Sequence, residues 1–139
     1  MRIHGGDRVV YEGTIDASAR RLRELRDGVA QALADVGIDA ATIRDSLLVM
    51  SELATNAMHA IAPGATITIR VARDSQDDVI VEVEDGGRGF RLSQQLRLPD
   101  KNEEHGRGLS IVCLVADETS VGRRRHRTIV RAVVRARNA

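Results

Sequence analysis

The apolar periodicity of this chain changes once, at Pro63-Gly64, and that change dictates the class of fold. Upstream, apolar residues recur every three or four positions. Leu22, Leu25, Val29, Leu33 and Val36 form one stripe within residues 17–36, and Ile43, Leu47, Met50, Ala54, Ala57 and Ile61 form a second within roughly 40–61. Such spacing lines one face of an α-helix. Asp16 is the expected N-cap of the first helix, Gly37 its left-handed terminator, and Asp39 the N-cap of the second. Downstream the period is two. Ile67, Ile69 and Val71 alternate with Thr66, Thr68 and Arg70, and Val79, Val81 and Val83 alternate with Ile80, Glu82 and Glu84. These read as two strands joined by a turn at Asp74–Asp78.

The rest of the chain follows the same logic. Residues 8–15 read as a short strand and residues 90–105, polar and aperiodic, as a loop. Residues 107–116, with Leu109, Val112 and Ala116, read as a third helix. Segments 118–122 and 127–136 read as a closing strand pair joined by Gly122-Arg123-Arg124-Arg125-His126. Hairpins combined with helices predict an α+β fold: a two-layer sandwich with helices on one face of a mixed, mostly antiparallel sheet. The 139 residues suit one domain.

Composition excludes several functions. The formal net charge is +1, and the only aromatic residues are Tyr11 and Phe90. A nucleic-acid surface built on bulk charge or base stacking is therefore not expected, and the basic run Arg123–Arg127 reads as a hairpin tip. Cys113 is the one cysteine, so no intrachain disulfide can form, and it reads as a core thiol. No apolar run approaches the ~20 residues of a membrane span, which makes a cytoplasmic protein the expectation.

Three segments carry chemistry. In SELATNAMHA (51–60), Glu52, Asn56 and His59 share one face of the second helix, away from its apolar stripe. An amide oxygen there is a hard ligand suited to Mg²⁺, and a carboxylate beside it can accept a proton. In VEVEDGGRG (81–89), a strand runs into Asp85 and then Gly86, Gly87 and Gly89. A carboxylate at that position can accept a hydrogen bond from an exocyclic amine, and the glycines let backbone approach a ligand. In HGRGL (105–109), Gly106 and Gly108 bracket Arg107 at a helix start, where free N–H groups and a guanidinium favour phosphate. Taken singly, these segments are equally a solvated helix face, a glycine-rich turn and a loose helix start. None is a P-loop, since GxxxxGK[ST] is absent, and the element order lacks the βαβ units of a dinucleotide fold.

Taken in order, E-x-x-x-N on a helix, D-x-G-x-G after a strand and G-x-G-L at a helix start resemble the N, G1 and G2 boxes of the GHKL superfamily, which includes histidine kinases and gyrase-type ATPases. The resemblance spans about residues 8–136. SELATNA, DGGRGF and GRGLSIVCLVADE resemble the anti-sigma-factor serine/threonine kinases in particular. That resemblance implies a Bergerat-type sandwich binding ATP and Mg²⁺. Glu52 would be the catalytic base and Asn56 the Mg²⁺ ligand. Asp85 would read the adenine amine, with Gly87 and Gly89 shaping that side of the pocket and Thr128 supporting the aspartate. Gly106 and Gly108 would approach the phosphates, and Arg107 would stabilise the transferring phosphoryl group. Residues 90–105 would be the ATP lid, from which Lys101 could reach a phosphate. The implied partners are a sigma factor and an anti-anti-sigma protein, with a homodimer and an arginine-bearing first helix (Arg20, Arg21, Arg23, Arg26) as a contact surface; neither nucleic acid nor membrane is implied. The sequence departs from the family at one point: His59 follows Asn56 with two residues between rather than three. This leaves two other readings in play, a non-catalytic ATP/ADP-dependent partner switch and an adaptor that has lost its nucleotide.

Overall fold

The computed structural model describes residues 6–62, 64–85, 115–124 and 127–137. Their elements are β1 (Arg8–Asp16), α1 (Ala19–Asp35), α2 (Ala40–Ala60), β2 (Thr66–Arg73), β3 (Val79–Asp85), β4 (Glu118–Arg124) and β5 (Arg127–Val134). The five strands form one sheet in the order β1-β2-β3-β5-β4. Every pairing among them is antiparallel, so the expected mixed sheet is purely antiparallel over the described strands. The return from β3 is the only one among them that is not between sheet neighbours: β5 lies between β3 and β4.

Local chemistry explains the element ends. The first helix starts at Ala19, and its N-cap is Ser18 rather than Asp16. The reason is tertiary: Asp16 is the last residue of β1, paired with Thr66, and the chain needs two more residues to leave the sheet. Gly37, at φ 85°, then turns the chain, with Ile38 N–H donating to the Leu33 carbonyl at 3.1 Å. Asp39 caps α2 as its position suggests, its carboxylate accepting from both the backbone N–H (3.0 Å) and the hydroxyl of Thr42. After α2 the chain turns through Gly64, also at φ 85°.

Both helices cover one face of the sheet. Leu25, Val29 and Leu33 from α1, and Val49, Met50, Leu53, Ala54 and Ala57 from α2, pack on the inward alternates of the strands. Those alternates are Ile67, Ile69 and Val71, then Val79, Val81 and Val83, then Val130, Ala132 and Val134. The two helices therefore bury their stripes against a row of β-branched side chains, which is what the two sequence periods demand. Of the expected second stripe, Met50, Ala54 and Ala57 are fully buried, whereas Ile43, Leu47 and Ile61 pack at its edge.

The chain's end is tied back onto this sandwich. The Arg137 guanidinium donates to Asp45 on α2 (3.0 Å), to Asp117 (3.3 Å) and to the Val115 carbonyl (2.7 Å), while its backbone N–H donates to Thr42 Oγ1 (2.8 Å).

Candidate nucleotide site

The most buried polar residues of the helix-facing layer lie together at one end of it. Asp85 is the last residue of β3 and Thr128 the second of β5; both are completely buried. The Thr128 backbone N–H donates to Asp85 Oδ2 at 3.1 Å, across 43 residues of sequence. The same junction is braced from the other face of the sheet. There the Arg127 guanidinium donates to Glu84 Oε2 at 3.1 Å, and Arg70 lies 3.7 Å from Glu84 Oε1. Bonds on both faces hold the end of β3 against β5, so the Asp85 carboxylate is held by its surroundings rather than by its own rotamer preference.

Topology brings the second helix to the same end. Ile67, the second residue of β2, pairs with Asp85, and β2 starts only six residues after α2 ends at Ala60. Asn56 and Glu52 lie one and two helical turns before that end, about 6 and 12 Å along the axis at 1.5 Å per residue. Both are part-buried on the helix side next to the packed stripe, and His59 is exposed. Asn56 Nδ2 is buried without a hydrogen-bond partner among the described residues. A buried amide left unpaired costs roughly 1–3 kcal/mol, so such a group points to a partner supplied by something bound.

Of the residues proposed from the sequence, Asp85 and Thr128 are in direct contact at the end of the sheet, and Glu52 and Asn56 lie four residues apart on α2, in its last two turns or so. Gly87, Gly89, Lys101, Gly106, Arg107 and Gly108 lie outside the described residues, as do the loop 90–105, the third helix up to residue 114, and Cys113. Among the described residues no cluster of three or more His, Cys, Asp or Glu side chains is arranged to hold a metal by itself. Asn56 offers one amide oxygen, and most of the coordination of a Mg²⁺ there must then come from phosphate and water, which is how that ion is usually held. The buried carboxylate at the strand end and the buried amide on the adjoining helix are polar groups that could meet a bound nucleotide.

Sequence reasoning missed two features. Glu82, read as a polar alternate of β3, is only 1% exposed, and its carboxylate has no hydrogen-bond partner among the described residues; Arg131 Nε stands 3.9 Å away. Burial pushes the Glu82 carboxyl above its ordinary range, against the pull of Arg70 and Arg131. The Arg137 clamp was the other, and no local signal marks it, because its partners lie 20 to 95 residues away.

The profile of the histidine kinase-like ATPase domain matches residues 15–134, nearly the whole chain. The chain belongs to the histidine kinase-like ATPase family. Known structures agree on the fold. The SiaB-SiaC complex from Pseudomonas aeruginosa contains a chain that superposes with TM-score 0.73 at 14% identity, covering 91% of this chain and 90% of that one. The RsbU and RsbW domains of Rv1364c from Mycobacterium tuberculosis match with TM-score 0.64 at 20% identity; the match covers 90% of this chain but only 32% of that one. The histidine kinase domain of the blue-light activated histidine kinase from Erythrobacter litoralis EL346 matches with TM-score 0.51 at 22% identity, over 83% of this chain and 65% of that one. No curated protein sequence matches. Among the described residues no helix is long and apolar enough to cross a membrane.

Proposed function

We propose that this histidine kinase-like ATPase domain is a partner-switching protein serine/threonine kinase: it binds Mg-ATP, phosphorylates a hydroxyl on an anti-anti-sigma protein, and holds a sigma factor when that antagonist is phosphorylated. The observation that carries the reading is the buried Asp85–Thr128 pair at the end of the sheet. The likeness of the fold to RsbW-domain and SiaB-SiaC structures supports the choice of partner class. The same reading makes the protein cytoplasmic, and a homodimer is part of it.

Each residue then has a physical task. Asp85, whose Oδ2 accepts the Thr128 N–H, would also accept a hydrogen bond from the adenine amine. The Asn56 amide oxygen would ligate Mg²⁺, and its Nδ2 N–H would be left to donate to a phosphate oxygen or water. Glu52 accepts the proton of the partner's hydroxyl. The bound Mg-ATP supplies the transferable phosphoryl group and a cation that neutralises phosphate charge. From the sequence alone, Gly87 and Gly89 border the adenine, Gly106 and Gly108 offer backbone N–H groups to phosphate, Arg107 meets the outermost phosphate, and Lys101 reaches it from the lid.

The test is transfer of labelled phosphate from ATP to a purified anti-anti-sigma protein. Glu52→Ala is expected to abolish transfer and leave Mg-ATP binding within about threefold, because removing a base acts on the chemical step rather than on ground-state binding. A second reading is a switch without catalysis, in which ATP or ADP alone sets partner affinity. The shortened spacing after Asn56 favours it, since α2 ends at Ala60, one turn beyond the ligand amide. Wild-type protein that binds ATP and partner but transfers no phosphate would establish that second reading.

A further inference from the structure

The second helix carries more along its solvent side than the two residues assigned to nucleotide chemistry. Arg44, Leu48, Glu52 and Asn56 follow one another in four-residue steps, and residues so spaced form one ridge along a helix. Each step advances about 6 Å along the axis. Exposure grows toward the start of the helix: Asn56 and Glu52 are part-buried, whereas Leu48 and Arg44 are exposed.

The residues beside the outer half of the ridge all have an internal task. Ile43 and Leu47 pack on the core, and Asp45 receives the Arg137 guanidinium. The Ser46 and Ser51 hydroxyls donate to carbonyls one turn back. Arg44, by contrast, makes no ion pair among the described residues, and Leu48 is 38% exposed. Val9 and Val121, the other exposed large apolar side chains among the described residues, lie on the two edge strands; Leu48 is the one on a helix. Apolar surface left in water at such a position contributes by burial only when a second surface covers it. The place of Leu48 decides which surface that is. It stands one turn from Glu52, the carboxylate assigned to the acceptor hydroxyl. A partner that brings a hydroxyl to Glu52 therefore comes within reach of Leu48 and, one turn farther, of Arg44.

We propose that Arg44 and Leu48 are the docking ridge for the phosphoacceptor protein. The ridge specifies the partner's chemistry: an apolar side chain about 6 Å from the acceptor hydroxyl and a carboxylate about 12 Å from it, on one line. Leu48 takes the apolar side chain out of water, and the Arg44 guanidinium pairs with the carboxylate. Both contacts form on docking and persist in the transition state, so they act on KM rather than on the chemical step. The proposal rests on the kinase reading for the identity of the partner.

The test uses the full chain and the purified anti-anti-sigma protein of the transfer assay. Steady-state transfer is measured for wild type, Leu48→Asp, Leu48→Met and Arg44→Glu. Partner binding is measured separately, with a non-hydrolysable ATP analogue present, and Tm and Mg-ATP affinity serve as controls. Leu48→Asp and Arg44→Glu are expected to raise the acceptor KM about tenfold or more, with kcat, Mg-ATP affinity and Tm near wild type. Partner affinity falls by the same factor, and Leu48→Met stays near wild type on every measure. Arg44→Glu regains affinity when one carboxylate of the partner is replaced by lysine. An unchanged KM and partner affinity in both variants overturns the ridge, as does a loss confined to kcat or to Tm. A wild type that binds the partner but transfers no phosphate refutes the kinase reading alone. The ridge is then judged on binding, and affinity indifferent to Leu48→Asp and Arg44→Glu overturns it. A wild type that binds Mg-ATP but not the partner overturns the ridge outright.

Discussion

Asp85 offers a way to separate what a buried carboxylate does for the fold from what it does for a ligand. Its Oδ2 accepts the Thr128 N–H at 3.1 Å inside a fully buried site. In Asp85→Asn the side-chain shape is kept, and the one carboxamide oxygen is drawn to that N–H. The amide NH₂ then occupies the place of the other carboxylate oxygen. For stability this exchanges a charged acceptor for a neutral one, a loss of about 1 kcal/mol, or about 3–4 °C in Tm for a domain of this size. For adenine the change is larger, because an N–H donor now faces the donor amine. Losing that bond and leaving two donors opposed costs about 1.5–3 kcal/mol, or roughly 10- to 150-fold in Kd. Asp85→Ala removes the acceptor from Thr128 as well and leaves a small void, so its Tm is expected to fall about twice as far. Calorimetric titration with Mg-ATP and Mg-ADP, paired with thermal unfolding of the same samples, reads both quantities. A folded Asp85→Asn protein that binds both nucleotides within threefold of wild type would refute the assignment of Asp85 to adenine.

Three further outcomes follow from the packing. In Gly28→Ala the new Cβ would lie 2.7 Å from Tyr11 Cε2 and 2.9 Å from its hydroxyl. The overpacking cost of about 1–3 kcal/mol exceeds the ~1 kcal/mol gain in helix propensity, so denaturant titration is expected to show a less stable protein, with the sign reversed in a Tyr11→Ala background. Asp39→Ala removes the cap that accepts two bonds from Thr42 and is expected to lower stability by about 1–2 kcal/mol by the same assay; an unchanged midpoint would mean the cap is redundant. Glu82 has a folded-state pKa raised above its ordinary 4.5, so the folded protein binds its proton more tightly than the unfolded chain. Its contribution to stability is complete below about that pH and is lost as pH rises through the folded value. Glu82→Gln is therefore expected to be more stable than wild type at pH 7 and to have lost that advantage at pH 4; an equal difference at both pH values would contradict the buried-carboxyl argument.

What the sequence determined by itself is whatever depends on neighbours in the chain. Asp39 caps α2 because its carboxylate needs only the N–H three residues on, and Gly37 ends α1 because no side chain opposes its positive φ. The alternation in 66–71 and 79–83 names the inward residues of β2 and β3 because side chains on a strand alternate whatever it pairs with. The family, too, was legible, since its boxes are short local motifs in a fixed order. Tertiary structure decided the rest. Asp16 lost the cap to Ser18 because β2 extends β1 by pairing Thr66 with it. Glu82 reads as a solvent-facing alternate, yet its burial depends on what lies over the outer face of the sheet, which no pattern within β3 records. The bond from Thr128 to Asp85 and the Arg137 clamp join residues tens of positions apart, and only the strand order β3-β5-β4 brings them within reach. The site residues can be named from short-range chemistry, but their positions come from strand pairing, an interaction between distant segments that the local sequence does not encode.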